Sequence, residues 1–179
     1  MREFFRTFAT WFYRIERMMI ADITRRMIVM SEGNLPDINH FMMVWAYART
    51  IGLEEGLDDR TQSILEIAAL VHDIACPLCR EKYGSTAGKL QEQEGLTLAE
   101  TFLSEFDMNA EMKERICYLV GHHHSFAHIE GMDYQILIEA DYLVNAIENR
   151  WSRENVTNFV SRYFRTQAGM GIAKDLFKV

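Results

Sequence analysis

ILEIAALVHDIACP, residues 64–77, is the stretch that decides the fold class. Ile64, Leu65, Ile67, Ala68, Leu70 and Val71 leave the segment almost no polar face, which predicts a helix buried on most sides. Asp58 and Asp59 open it, and Pro77 predicts its end. His72 and Asp73 follow directly on this apolar body. A carboxylate in such a setting is costly unless it is paired or holds a metal.

The rest of the chain carries the same helical period. Phe4, Phe5, Phe8, Trp11, Phe12, Ile15, Met18 and Met19 recur at steps of three and four, which predicts an amphipathic N-terminal helix within residues 1–30. That helix is expected to pack on the domain or on a second subunit, as in a homodimer. Residues 31–179 form the domain proper, with a C-terminal helix. A turn at 34–37 leads to a helix over 38–53 with Asp37 as its N-cap. Further helices are predicted at 90–106, 110–123, 134–149 and 154–164, with a loop over 79–89. No segment alternates with a period of two, so the expected architecture is an all-α, compact helical bundle with an additional N-terminal helix.

Composition agrees. With 179 residues, the chain suits a single domain, and 49% apolar content argues against disorder. Ten glycines and two prolines are few helix breakers. A formal net charge of −7 makes the chain a poor binder of nucleic-acid backbones, so no nucleic-acid polymer is expected. The first twenty residues carry Arg2, Arg6, Arg14 and Arg17 among their aromatics, unlike a secretory signal, and no apolar run of membrane-spanning length is read. Cys76, Cys79 and Cys117 make an odd count, which suits free thiols in a reducing cytoplasm. The Cys76–Cys79 spacing lacks a second pair, and the glycines of KYGSTAGKL (82–90) follow no strand, so neither a zinc ribbon nor a Walker loop is supported.

Histidines stand at 40, 72, 122, 123, 124 and 128, and Asp141 lies inside the apolar run Leu137–Val144. Two aspartates in core-like helices, with surplus imidazoles, are most simply explained by a shared cation. The donor set suits zinc, manganese or iron and lacks the thiolates of a structural zinc site.

His40, then His72-Asp73, then Asp141, in the contexts AALVHDIA (68–75), YLVGHHHS (118–125) and ILIEADYLVN (136–145), resembles the HD superfamily of metal-dependent phosphohydrolases. KYGSTAGKLQEQEG (82–95) is similar to a subgroup of small bacterial members, and the resemblance covers about residues 20–150. It implies one or two divalent transition metals (Fe, Mn, Zn, Ni or Co) and hydrolysis of a small phosphorylated substrate, often a nucleotide. His40, His72, Asp73 and Asp141 would hold the first ion, with His72 and Asp73 as the catalytic pair. Glu94, His122 and His123 are the candidates for a second ion. His123 follows Leu119 and Val120 onto their inward face, and His122 is displaced by about 100°. His124 and His128 are expected to be solvated or at the mouth.

Many members carry a lysine or other polar residue where this chain has Cys76. Arg80, Lys82 and Lys89 are the expected phosphate-binding replacements. Two rival readings accompany this one: a di-iron HD-type oxygenase, and a non-catalytic nucleotide-binding regulatory module that signals through the first helix.

Overall fold

The computed structural model describes residues 18–179, whose regular secondary structure is all helical. In order they are α1 (residues 18–30), α2 (Leu35–Glu54), α3 (Asp59–Val71), α4 (Cys76–Tyr83), α5 (Gly88–Leu103), α6 (Ala110–Val120), α7 (Met132–Glu148), α8 (Arg153–Tyr163) and α9 (Gln167–Phe177). Most of the N-terminal stripe, from Phe4 to Ile15, lies outside the described residues. Of the stripe's described residues Met18 is exposed and Met19 packs against the core, and further along α1 Ile23 and Met27 are buried.

Every residue of α3 from Gln62 to Val71 is buried, as the apolar run predicts. Helices α2, α6 and α7 pack around it, α5 backs α6, and α9 rests against α2, α7 and α8. Each large aliphatic side chain buried there contributes about 1.5–3 kcal/mol. Side-chain caps begin five helices: Asn34 on α2, Asp58 on α3, Asn109 on α6, Ser152 on α8 and Thr166 on α9. Each such cap is worth about 1 kcal/mol.

The residues around Pro36 and Pro77 correct two sequence readings. Asn34, not Asp37, caps α2, because Pro36 fits the first turn, where its missing N–H costs nothing. Pro77 likewise opens a helix, so much of the loop expected over 79–89 is the second half of α4. The chain also adds α9 beyond the last helix predicted.

One stretch, Asp59–Tyr83, has the length and hydropathy of a membrane span, a feature the sequence reading did not identify. In its most apolar window, 83% of the residues are buried inside the bundle. The turn over 72–75 divides it into α3 and α4. Packing against protein accounts for its apolarity.

Candidate metal centre

The end of α3 sets the site. After Val71 the helix gives way to a turn that carries His72 and Asp73 into the interior between α2 and α7. His40 reaches the same point from α2 and Asp141 from α7. The His40 Nε2 lies 3.2 Å from His72 Nε2 and 3.2 Å from Asp141 Oδ1. Asp73 Oδ2 is 3.5 Å from His40 Nε2, and Asp73 Oδ1 is 3.6 Å from His72 Nε2. His123, from the turn after α6, brings its Nε2 within 3.4 Å of Asp73 Oδ1.

The far sides of the rings fix what the near sides offer. His72 Nδ1 is 2.8 Å from the Ala69 carbonyl, and His123 Nδ1 is 2.8 Å from the Val120 carbonyl. A carbonyl only accepts, so both Nδ1 atoms carry a proton and each ring turns its Nε2 edge inward. His40 Nδ1 is held in the same way by the Glu148 carboxylate at 2.9 Å. Asn145 donates to Asp141 Oδ1 at 2.7 Å. Carbonyl and carboxylate partners of this kind orient imidazoles that bind metals.

Charge is unbalanced at the centre. Among the described residues the ion-pair partners of Asp73 and Asp141 are imidazoles, with no Lys or Arg. Burial opposes the charge on Asp73, but His72 and His123 outweigh it and hold its carboxyl below the usual range. Burial likewise opposes Asp141, and the bonds from His40 and His72 take it well below. Burial pulls His40 down, yet Asp141, Asp73 and Glu148 overcome this and push it up to about 10. Such a centre takes up a cation, be it a proton or a metal ion.

The donors fit a metal. His40, His72 and Asp73 offer ligand atoms within 4.8 Å of one another, and so do Asp73, His123 and His124. Ligands about 2.1 Å from a first-row ion stand about 3.0–3.4 Å apart, close to the spacing around His40 Nε2. Among the described residues the buried Nε2 atoms of His123 and His124 have no hydrogen-bond partner, a costly state that a cation relieves. Burial, with repulsion from His123, lowers His124 to about 4, so its ring is neutral and ready to ligate. Gly88 makes room for that ring: a Cβ there would stand 2.6 Å from His124 Cγ.

The other expected residues are not gathered here. Glu94 accepts from Lys82 at 2.8 Å and from the Tyr83 hydroxyl, which occupies both Glu94 and Lys82 elsewhere. Arg80 pairs with Asp37, and Lys89 is exposed. His122 is exposed and stacks on Tyr118 at 4.2 Å, and His128 is also exposed. Helix α6 ends at Val120, so the helical phase that favoured His122 over His124 does not extend to them. Cys76 packs beside Asp73 as a buried thiol, and burial pushes its pKa far up.

Beside the centre opens a cleft of about 580 Å³, which Asp141 and His124 line on the metal side. Phe126 and Trp151 lie on its rim, and α8 forms the opposite wall with Asn155, Asn158, Phe159 and Arg162. Asp141, Asn145 and Glu148 follow one another on α7 at steps of four and three, a spacing that could have revealed Asn145 and Glu148 from the sequence.

Comparison with known proteins gives the family. The HD domain family model matches residues 37–157. The fold is similar to a crystal structure of a predicted HD superfamily hydrolase from an uncultured Thermotogales bacterium, with a TM-score of 0.63 and 21% identity. That likeness covers 90% of this chain and 84% of the other. No curated protein matches the chain. With the family match spanning most of the sequence, and the HD pair at the focus of the buried cluster, the chain belongs to the HD-domain family.

Proposed function

We propose that the chain is a metal-dependent phosphohydrolase acting on a small phosphorylated molecule, with nucleotides the foremost candidates. The observation that supports this most is a pair of carboxylates, Asp73 and Asp141, whose ion-pair partners among the described residues are imidazoles at 3.2–3.6 Å, set beside a cleft of about 580 Å³. That volume is in the range of small-molecule sites.

In this reading His40, His72, Asp73 and Asp141 hold one divalent ion of Fe, Mn, Zn, Ni or Co, and Asp73, His123 and His124 hold a second. When bound, such an ion supplies a water whose pKa falls to about 7 and a positive charge against phosphate oxygens. The chain's own groups keep the donors in place. Ala69, Val120 and Glu148 fix the imidazoles, and Asn145 steadies Asp141. Asp73 faces both ligand groups and orients the attacking water. A cytoplasmic setting belongs to the same reading, since Cys76, Cys79 and Cys117 are free and buried.

The test is a phosphate-release screen across nucleoside monophosphates and sugar phosphates, with each of the five metals supplied in turn. Phosphate release is expected, and Asp73→Ala or His72→Ala should abolish release and metal retention together while helix content holds. Full activity in either variant removes the proposal. Two irons per chain with oxygen-dependent turnover and no phosphate release would replace it with the oxygenase reading.

A further inference from the structure

Helix α8 carries a short apolar stripe, Val156, Phe159, Val160 and Tyr163, of which Phe159 and Val160 are only partly buried against the core. Val156 is its only fully buried residue. The face it turns to the cleft carries Asn155, Asn158, Phe159, Arg162 and Tyr163, at steps that place them along one side. Phe159 stacks on Tyr142 at 3.6 Å, which anchors the wall to α7. Phe126 and Trp151 keep 37% and 39% of their surface exposed at the rim of the same cleft. The structure thus offers two open aromatic rings and two side-chain amides around a cavity of ligand size.

Arg162 differs from two of the three cations that the sequence favoured, and unlike the third, Lys89, it lines the cleft. Arg80 is paired with Asp37 and Lys82 with Glu94. Among the described residues no carboxylate pairs with Arg162, whose guanidinium lies over the Tyr163 ring at 5.1 Å. An arginine kept free of acids and preset by an aromatic face is suited to an incoming anion.

We propose that this wall selects the substrate: Trp151 and Phe126 take a planar aromatic group, and Arg162 binds an anionic oxygen of the same molecule. Asn155 and Asn158 meet the polar edge of the ring. The inference builds on the phosphohydrolase reading for its reaction, but it concerns binding and is testable without turnover.

Isothermal titration of the full-length protein would use three probes: the methylenephosphonate analogue of adenosine monophosphate, adenosine, and methylphosphonate. They carry ring and charge, ring alone, and charge alone. The first is expected to bind tightest. Arg162→Ala should weaken it about tenfold while adenosine changes less than about twofold, and Arg162→Lys should recover part of the loss. Trp151→Ala should weaken both ring-bearing probes about tenfold and leave methylphosphonate unchanged. If both alanine variants bind all three probes within about twofold of the parent, or if the parent prefers methylphosphonate to the ring-bearing phosphonate, the proposal is overturned. Absence of phosphate release with these binding differences intact would remove the phosphohydrolase reading and leave the selecting wall standing.

Discussion

Glu139 and Asp141 lie two residues apart on α7, and both are buried, yet they do opposite things. Glu139 accepts from Gln135 at 2.7 Å, from the backbone N–H groups of Arg165 and Thr166 at 2.7 and 3.1 Å, and from the Thr166 hydroxyl. Neutral donors close its shell completely and staple α7 to the α8–α9 junction. Burial still raises its pKa, against the pull of those bonds. Asp141 has one amide donor, Asn145, and otherwise faces His40 and His72 with Asp73 close by. A buried acid in a helical core is therefore not by itself a sign of chemistry. The sign is a shell that neutral donors leave open and on which imidazole nitrogens converge.

Substitutions separate the two cases. The largest effect is expected from Asp73→Asn, which keeps the shape and removes the charge. Metal affinity should fall by more than the about 10–100-fold that loss of an outer partner costs, and turnover should vanish with it. Native helix content with undiminished metal binding would break the contrast. Glu139→Ala should do the reverse. With its donors stranded, stability should drop by about 3 kcal/mol or more, read from the denaturant midpoint, while metal content per folded chain holds.

Smaller effects sharpen the picture within the centre. Gly88→Ala should push the His124 ring aside and weaken a second ion about tenfold, with the first unaffected, as two-step metal titration would show. Arg80→Ala should alter KM by less than about twofold, since Asp37 already occupies that guanidinium. Least of all should thiol reagents do. Burial pushes Cys117 up to about 11 and Cys76 and Cys79 above their ordinary value, so native protein at about pH 8 should alkylate slowly and fully only on unfolding.

Much of this was legible in the residues. The apolar run before His72 announces both a core helix and an acid in need of a partner, and Asp141 stands out by the same reasoning, whereas His40 enters through the likeness to the HD superfamily. Other features depend on contacts that linear spacing does not carry. The position of His124 beside Asp73 and His123 is not readable from helical spacing, because α6 stops at Val120 and a turn resets the side-chain directions. Glu94 looked like a ligand until Lys82 and Tyr83 were seen to hold it. Helix α9 was hidden by Gly169 and Gly171, poor helix formers. Gly169 is there because a Cβ would meet Glu139 Oε2 at 2.1 Å. Apolar periodicity finds α8 itself, but not the face that carries Asn155, Asn158 and Arg162 to the cleft, because polar side chains on a helix read as solvated until a neighbouring wall is known.

The most direct test counts metal ions per chain by elemental analysis, after loading the full-length protein with a divalent first-row metal and desalting it. The account predicts about one to two ions in the parent and close to none in Asp73→Asn. A parent that retains no metal, or a variant that retains as much as the parent, would contradict it.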